Sequence, residues 1–164
     1  MAFNVNDFKS GLGAVARAAH YELECGSEDI TFRAIAVTAP GRAVATTPTL
    51  EHGPVREVIH SPIFTPISAT IILSPDHLER KLLTAWQDKG AGVQGSNFYI
   101  GYYNDYADYR KVKIKQYEET GKLKNTIELV EAYPRSIGEI SYSFMQSEYA
   151  TFNVTFQYRY YTEK

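Results

Sequence analysis

The segment TFNVTFQYRYY, Thr151–Tyr161, alternates apolar and polar residues along its whole length. Phe152, Val154, Phe156, Tyr158 and Tyr160 fall on one face, and Asn153, Thr155, Gln157 and Arg159 fall on the other. A period of two is the signature of a strand with one buried side. Burying each apolar member contributes roughly 1.5–3 kcal/mol, so a one-residue slip would forfeit the whole set. Such a strand, read back to Tyr149, needs a sheet around it and a second apolar layer over it.

The same period recurs upstream. Glu139–Phe144 places Ile140, Tyr142 and Phe144 against Ser141 and Ser143, and Leu123–Tyr133 turns Ile127 and Leu129 inward. Lys111, Lys113 and Lys115 alternate with Val112 and Ile114, and Glu118–Gly121 supplies a turn. Near the start, His20–Cys25 and Ile30–Val37 flank the turn residues Gly26–Asp29 as a hairpin, and Ile67–Leu73 reads as a further strand. One helix is predicted over 75–89. Ser74 is its cap, Pro75 its first residue, and Asp76 and Glu79 complement its dipole. Leu78, Leu82, Ala85 and Trp86 form its buried stripe, and Lys89 and Gly90 close it. One helix with about eight strands predicts a mainly β fold, a β-sandwich or barrel with one packed helix, in a single domain over 1–164.

Two stretches do not fit inside that sandwich. Residues 39–66 hold Pro40, Pro48, Pro54, Pro62 and Pro66, five of the seven prolines. Proline withdraws a ladder donor and is confined to edge strands and extended connections, and a structureless loop this long is improbable in a compact domain. A projecting arm that finds its partner in another subunit is predicted, with Pro40, Val55, Ile59 and Phe64 as its contact residues. Residues 1–19 carry a weak helix in which Phe8, Leu12 and Val15 share a face but Gly11 and Gly13 each cost about 1 kcal/mol. Phe8 and Leu12 are therefore candidates for contacts made only on assembly.

Composition narrows the function. The chain has 164 residues, 13 Tyr, 8 Phe and a formal net charge of −2. Proteins that grip nucleic acid through phosphates carry a basic excess, which is missing here. Cys25 is the single cysteine, so an intrachain disulfide and a multi-cysteine metal site are both excluded. The absence of a signal-peptide pattern or a long apolar run predicts a soluble chain made in a reducing compartment, with no stable membrane binding.

Chemical motifs are spelled but not supported. Gly90-Ala-Gly-Val-Gln-Gly95 matches dinucleotide-loop spacing, yet a helix ends into these glycines, so its dipole points the wrong way for a pyrophosphate. His20, His52, His60 and His77 show no i, i+4 pair. Cys25, within a predicted strand, reads as a core residue, and Asn153-Val-Thr155 as a sequon by spelling only. The expectation is no catalytic residue, no metal and no cofactor. A different class, a nucleic-acid-binding β-barrel using Lys111, Lys113 and Lys115 with nearby tyrosines, is opposed by Glu118, Glu119, Glu128 and Glu131 on the neighbouring strand.

Three segments together carry a resemblance. These are TIILSPDHLERKLLTAWQ (Thr70–Gln87), IELVEAYPRSIGEI (Ile127–Ile140) and the terminal Thr151–Tyr161 strand. In this order and spacing the chain resembles the tail tube protein of contractile-tailed bacteriophages of the T-even type. Ser74, Pro75 and Trp86 mark the strand–helix unit, and Pro134 and Gly138 mark a corner at which the strand breaks and the chain turns. The resemblance implies a subunit completed into a shared β-barrel by ring oligomerisation, with six-fold rings stacked into a tube. It implies sheath, tape-measure, baseplate and tail-terminator proteins as partners, DNA passing transiently through the lumen, assembly in the host cytoplasm and a final place in the virion tail. Tubes of type VI secretion systems and of extracellular contractile injection machines share this general architecture.

Overall fold

The computed structural model describes residues 18–26, 31, 32, 34–49, 53–94, 96–107, 109–143 and 149–164. Phe8, Leu12, the turn residues 27–30 and Phe144 lie outside the described residues.

Two antiparallel sheets face each other. The strands are β1 (Tyr21–Cys25), β2 (Thr31–Phe32), β3 (Ala34–Val37), β4 (Arg42–Thr49), β5 (Arg56–Phe64) and β6 (Ile67–Ile72), then β7 (Ala91–Gln94), β8 (Asn97–Ile100), β9 (Val112–Tyr117), β10 (Leu123–Val130), β11 (Tyr133–Ile137), β12 (Thr151–Gln157) and β13 (Tyr160–Glu163). A five-stranded sheet runs β13-β10-β9-β1-β2 and a four-stranded sheet runs β11-β12-β6-β3. Leu23 and Cys25 from β1, Val112 and Ile114 from β9 and Leu129 from β10 meet Ile67, Ala69 and Ile71 from β6 and Phe152, Val154 and Phe156 from β12. Alternate residues of each strand therefore build one apolar layer between the sheets, as sandwich packing requires.

The predicted hairpin near the start exists, but its second arm divides. Thr31 and Phe32 pair with β1, and Ala34–Val37 crosses to β6 in the other sheet. The terminal strand divides in the same way. β12 ends at Gln157, and β13 joins β10 after a step in which the Arg159 N–H donates to the Val130 carbonyl at 3.0 Å. Tyr158 stays buried, but Tyr160 does not share its face. Tyr161 instead packs beside Phe64 and Tyr158. The alternation survives only as far as the crossing, because each sheet sets its own facing.

The helix α1 spans Leu78–Gly90, later than predicted. Ser74–His77 closes a turn first, with the His77 N–H donating to the Ser74 carbonyl at 3.0 Å, so Pro75 sits in the turn and not in the helix. Ser74 still caps. Its hydroxyl accepts from the Leu78 N–H at 3.3 Å and donates to the Glu79 carboxylate at 2.8 Å. Leu83 and Trp86 are the buried pair, whereas Leu78 and Ala85 are exposed. Leu82 and Leu83 both stand at helical spacing from Trp86, so the pattern alone left the face undecided. Trp86 rests near Phe156, with ring centroids 6.3 Å apart, and its indole N–H donates to the Tyr106 carbonyl at 2.7 Å.

Three further expectations are corrected. The helix does not stop into a run of free glycines: it passes into the β7–β8 hairpin, and α2 (Tyr103–Tyr106) follows. Among the described residues 138–143 form no strand, although the Gly138 N–H still bonds to β12. At the predicted corner the chain turns at Glu131, whose φ is 54°, while Pro134 lies inside β11 opposite Phe156. β11 is a sheet edge, where a missing N–H is tolerated. Gly138 serves close approach and not a left-handed turn. Its N–H donates to the Asn153 carbonyl at 2.6 Å, and a Cβ would stand 2.9 Å from that oxygen.

Candidate functional site

The surface of this sandwich carries three features that a lone globular domain has no use for. The first is a pair of open edges on the four-stranded sheet. Among the described residues β3 and β11 each pair on one side only, with β6 and β12 respectively. Such edges present backbone donors and acceptors that favour pairing with another chain.

The second feature is the ribbon β4–β5. Arg42–Thr49 pairs with Arg56–Phe64 through eight registered pairs, and among the described residues neither strand joins another sheet. Val44, Val55, Val58, Ile59 and Ile63 are exposed on it. Pro48 and Pro62 lie within these strands, as an isolated ribbon permits. Its base is fixed to the core. Phe64 lies edge-on to Tyr161 at 5.8 Å, and the Tyr158 hydroxyl donates to the Thr65 carbonyl at 2.8 Å. Of the residues expected on this arm, Val55 and Ile59 are exposed, Phe64 is half-buried at the base, and Pro40 lies in the connection ahead of β4.

The third feature, which sequence reasoning missed, is the β7–β8 hairpin. Phe98 and Ile100 are 86% and 88% exposed, and Val93 and Tyr102 are also open to solvent. The hairpin is clamped to the end of α1. The Tyr99 hydroxyl donates to the Asp88 carbonyl at 2.6 Å, and the Gly101 N–H donates to the Gly90 carbonyl at 2.9 Å. Val93, Phe98 and Ile100 were its only signal, hidden by the glycines around them. An apolar groove of about 300 Å³ lies beside it, between Trp86, Tyr106, Tyr133 and Pro134.

The charged face of the five-stranded sheet is internally balanced. Lys115 reaches Glu24 at 2.6 Å, Lys113 approaches Glu24 at 4.0 Å and Lys111 approaches Glu128 at 3.7 Å. Neutralisation therefore comes chiefly from β1, where Glu24 was not expected to act. Glu131 pairs instead with Arg159 at 2.9 Å and accepts from the Tyr103 hydroxyl at 3.0 Å. That Arg159 contact holds the Glu131 carboxyl below its usual range, and burial with the Glu131 contact pushes the Tyr103 phenol up to about 12. The Glu24 contact raises the Lys115 ammonium, and the hydrogen bond to Glu22 raises the Tyr117 phenol. These groups are committed to one another, which leaves little positive charge for phosphates.

Among the described residues, no group of three or more His, Cys, Asp and Glu side chains is arranged to hold a metal ion. Cys25 is fully buried, and burial pushes its thiol up to about 12, so it is no nucleophile at neutral pH. What converges on this surface is edge, ribbon and exposed aromatic area, which is the chemistry of assembly.

Comparison with known proteins agrees with that geometry. The profile of the phage tail tube protein family matches residues 2–164. No curated protein sequence matches. Among solved structures, the chain is similar to a chain of the PVC sheath–tube complex of an extracellular contractile injection system in its extended state. Identity there is 13% and the TM-score 0.70, with 99% of each chain covered. The PVC sheath/tube terminator gives 15% identity and a TM-score of 0.71, with 93% of this chain and 99% of that one covered. The tube-terminating cap of the anti-feeding prophage gives 13% and 0.71, with 100% and 94% covered. At these identities the likeness is one of fold, and the family rests on the profile. Matched from residue 2 to residue 164, the chain belongs to the phage tail tube protein family, as a structural subunit of a tail tube.

Proposed function

We propose that six copies of this chain close into a ring, that rings stack into the inner tube of a contractile phage tail, and that the genome leaves through the bore. The observation that carries this reading is the pair of open edges on the four-stranded sheet. Pairing β3 of one copy with β11 of the next would join the sheets into one barrel and remove both edges at once. A formal charge of −2 suits a conduit, because a basic bore would retain DNA by counterion release. In this role the protein is non-catalytic. It is assembled in the host cytoplasm around a tape-measure protein, on a baseplate, inside a sheath and under a tail terminator. Residues 1–19 and 39–66 supply contacts between copies.

Negative-stain microscopy of the purified protein tests the reading. Hollow tubes or six-fold rings are expected, and a stable monomer under all assembly conditions would overturn it. The fold shared with injection-system tube and cap chains favours one second reading, a tube of an extracellular contractile injection machine. Particles isolated from the producing cell separate the two: a genome-filled head on the tube supports the phage, and sheathed tubes without heads support the injection machine.

A further inference from the structure

The four-stranded sheet has one face against the core and one face free. Phe152, Val154 and Phe156 of β12 and Ile67, Ala69 and Ile71 of β6 turn inward. The alternate residues, Asn153, Thr155 and Gln157 with Ser68 and Thr70, therefore stand on the free face. The register sets them in rows. Ser136 opposes Thr155, Thr155 opposes Ser68, and the Thr38 N–H donates to the Ser68 carbonyl at 2.9 Å, so four hydroxyl residues stand abreast. In the next row Asn153 opposes Thr70, and Thr70 opposes Ala36. These groups also bond within the face. The Thr70 hydroxyl donates to the Asn153 side-chain carbonyl at 2.7 Å, the Ser68 N–H donates to the Thr38 hydroxyl at 2.8 Å, and that hydroxyl donates to the Ser68 carbonyl at 3.1 Å. Within β3, β6, β11 and β12 the one charged residue is Arg135, and it lines the groove beside α1.

We propose that duplex DNA passes along this free face without electrostatic hold or repulsion, over rows of uncharged hydroxyl and amide groups. The inference rests on the closed-ring reading above and adds the residues that meet the cargo, with their chemistry. Joining β3 to β11 around a ring makes a barrel of four strands per copy, and the five-stranded sheet of each copy covers the core face. Only the outside of the barrel has room for those second layers, so the free face turns to the bore. Strands about 4.8 Å apart and tilted about 40° set a six-copy wall about 50 Å across between backbones. The net charge of −2 belongs to the whole chain. A polyanion senses charge within a Debye length, about 8–10 Å, and the strands of this face place none there. Retention by counterion release needs cations, and repulsion at entry needs carboxylates. The wall strands supply neither. The hydroxyls of Thr38 and Thr70, which could bond a phosphate, are already partnered within the wall.

Labelling of assembled tubes locates the face, and added lysines test its chemistry. Cys25 is buried and its thiol is pushed up to about 12, so it contributes little background. In tubes, Thr155→Cys is expected to react with a small maleimide and to be shielded from a maleimide carried on a dextran wider than the bore. Lys111→Cys, on the outer face of the five-stranded sheet, is expected to react with both. Equal reaction of Thr155→Cys with the two probes would overturn the proposal. Ser68→Lys and Asn153→Lys each add one cation per copy, and their tubes are mixed with labelled duplex DNA and then nuclease. Wild-type tubes are expected to protect no DNA at about 50 mM salt. Tubes of either lysine variant are expected to protect at least about tenfold more, and to release it by about 200 mM salt. Wild-type tubes that already protect DNA in a salt-dependent way would overturn the proposal, as would lysine tubes that protect no more than wild type. The two lysines sit on different strands, so a variant that fails to assemble leaves the other to decide. Wild-type protein that makes neither rings nor tubes would instead overturn the ring reading itself.

Discussion

At the scale of single residues, Trp86 and Gly138 carry the most. Trp86 joins α1 to Phe156 and satisfies the Tyr106 carbonyl, so Trp86→Ala removes a large buried ring and a hydrogen bond together. A loss of about 3–5 kcal/mol is expected in urea unfolding. Gly138→Ala places a methyl 2.9 Å from the Asn153 carbonyl, so β11 must shift away from β12. A cost of about 1–3 kcal/mol is expected, together with faster amide exchange along β11. The ionic contacts predict an acid response of definite sign. The Glu131 carboxyl is depressed, so its contribution is present above the ordinary value of 4.5 and is lost as pH falls through the depressed value. Lys115 is raised, so its contribution is present below 10.5 and is lost as pH rises through the raised value. Melting temperatures measured from neutral to acid pH should therefore fall less steeply in Glu131→Gln than in the wild type.

At the scale of elements, the β4–β5 ribbon should be separable from the fold. It joins neither core sheet, so replacing 43–63 by a short Gly-Ser turn, with Phe64 kept against Tyr158 and Tyr161, is expected to leave a cooperatively folding protein that no longer grows tubes. Calorimetry and negative stain read the two outcomes. The elements also show what the sequence could and could not reveal. β6, β9, β10 and β12 were legible because each buries one face, and the period of two records that burial directly. The crossings at Phe32–Ala34 and Tyr158–Arg159 were not, because alternation reports which side is buried and is blind to which sheet buries it. Proline clustering pointed to the ribbon as an outward arm. The β7–β8 hairpin was hidden because its ladder is short and its apolar residues face solvent, so burial wrote no pattern into it. Glu139–Phe144 alternates as a strand would, yet its described residues, 139–143, belong to none, because alternation alone supplies no neighbour to pair with.

At the scale of the whole molecule, sandwich, ribbon and open edges describe one object: a core packed within one chain and, among the described residues, sheet edges that the chain does not cover. Tubes from the purified protein should form without nucleotide, metal or nucleic acid, because every contact invoked is backbone pairing or side-chain packing. Tube yield against added chelator and nuclease checks this, and no change in yield is expected. The order in which the chain supplies its strands has a further consequence. β12 lies inside the four-stranded sheet, between β11 and β6, and β13 borders β10 in the other. The Thr70 hydroxyl donates to the Asn153 side-chain carbonyl across 83 positions of sequence. The four-stranded sheet therefore cannot close until residue 157 has left the ribosomal exit tunnel, nor the five-stranded sheet until residue 163 has. Any contact between copies that uses a finished sheet must wait for these last strands, however early the rest of the chain collapses.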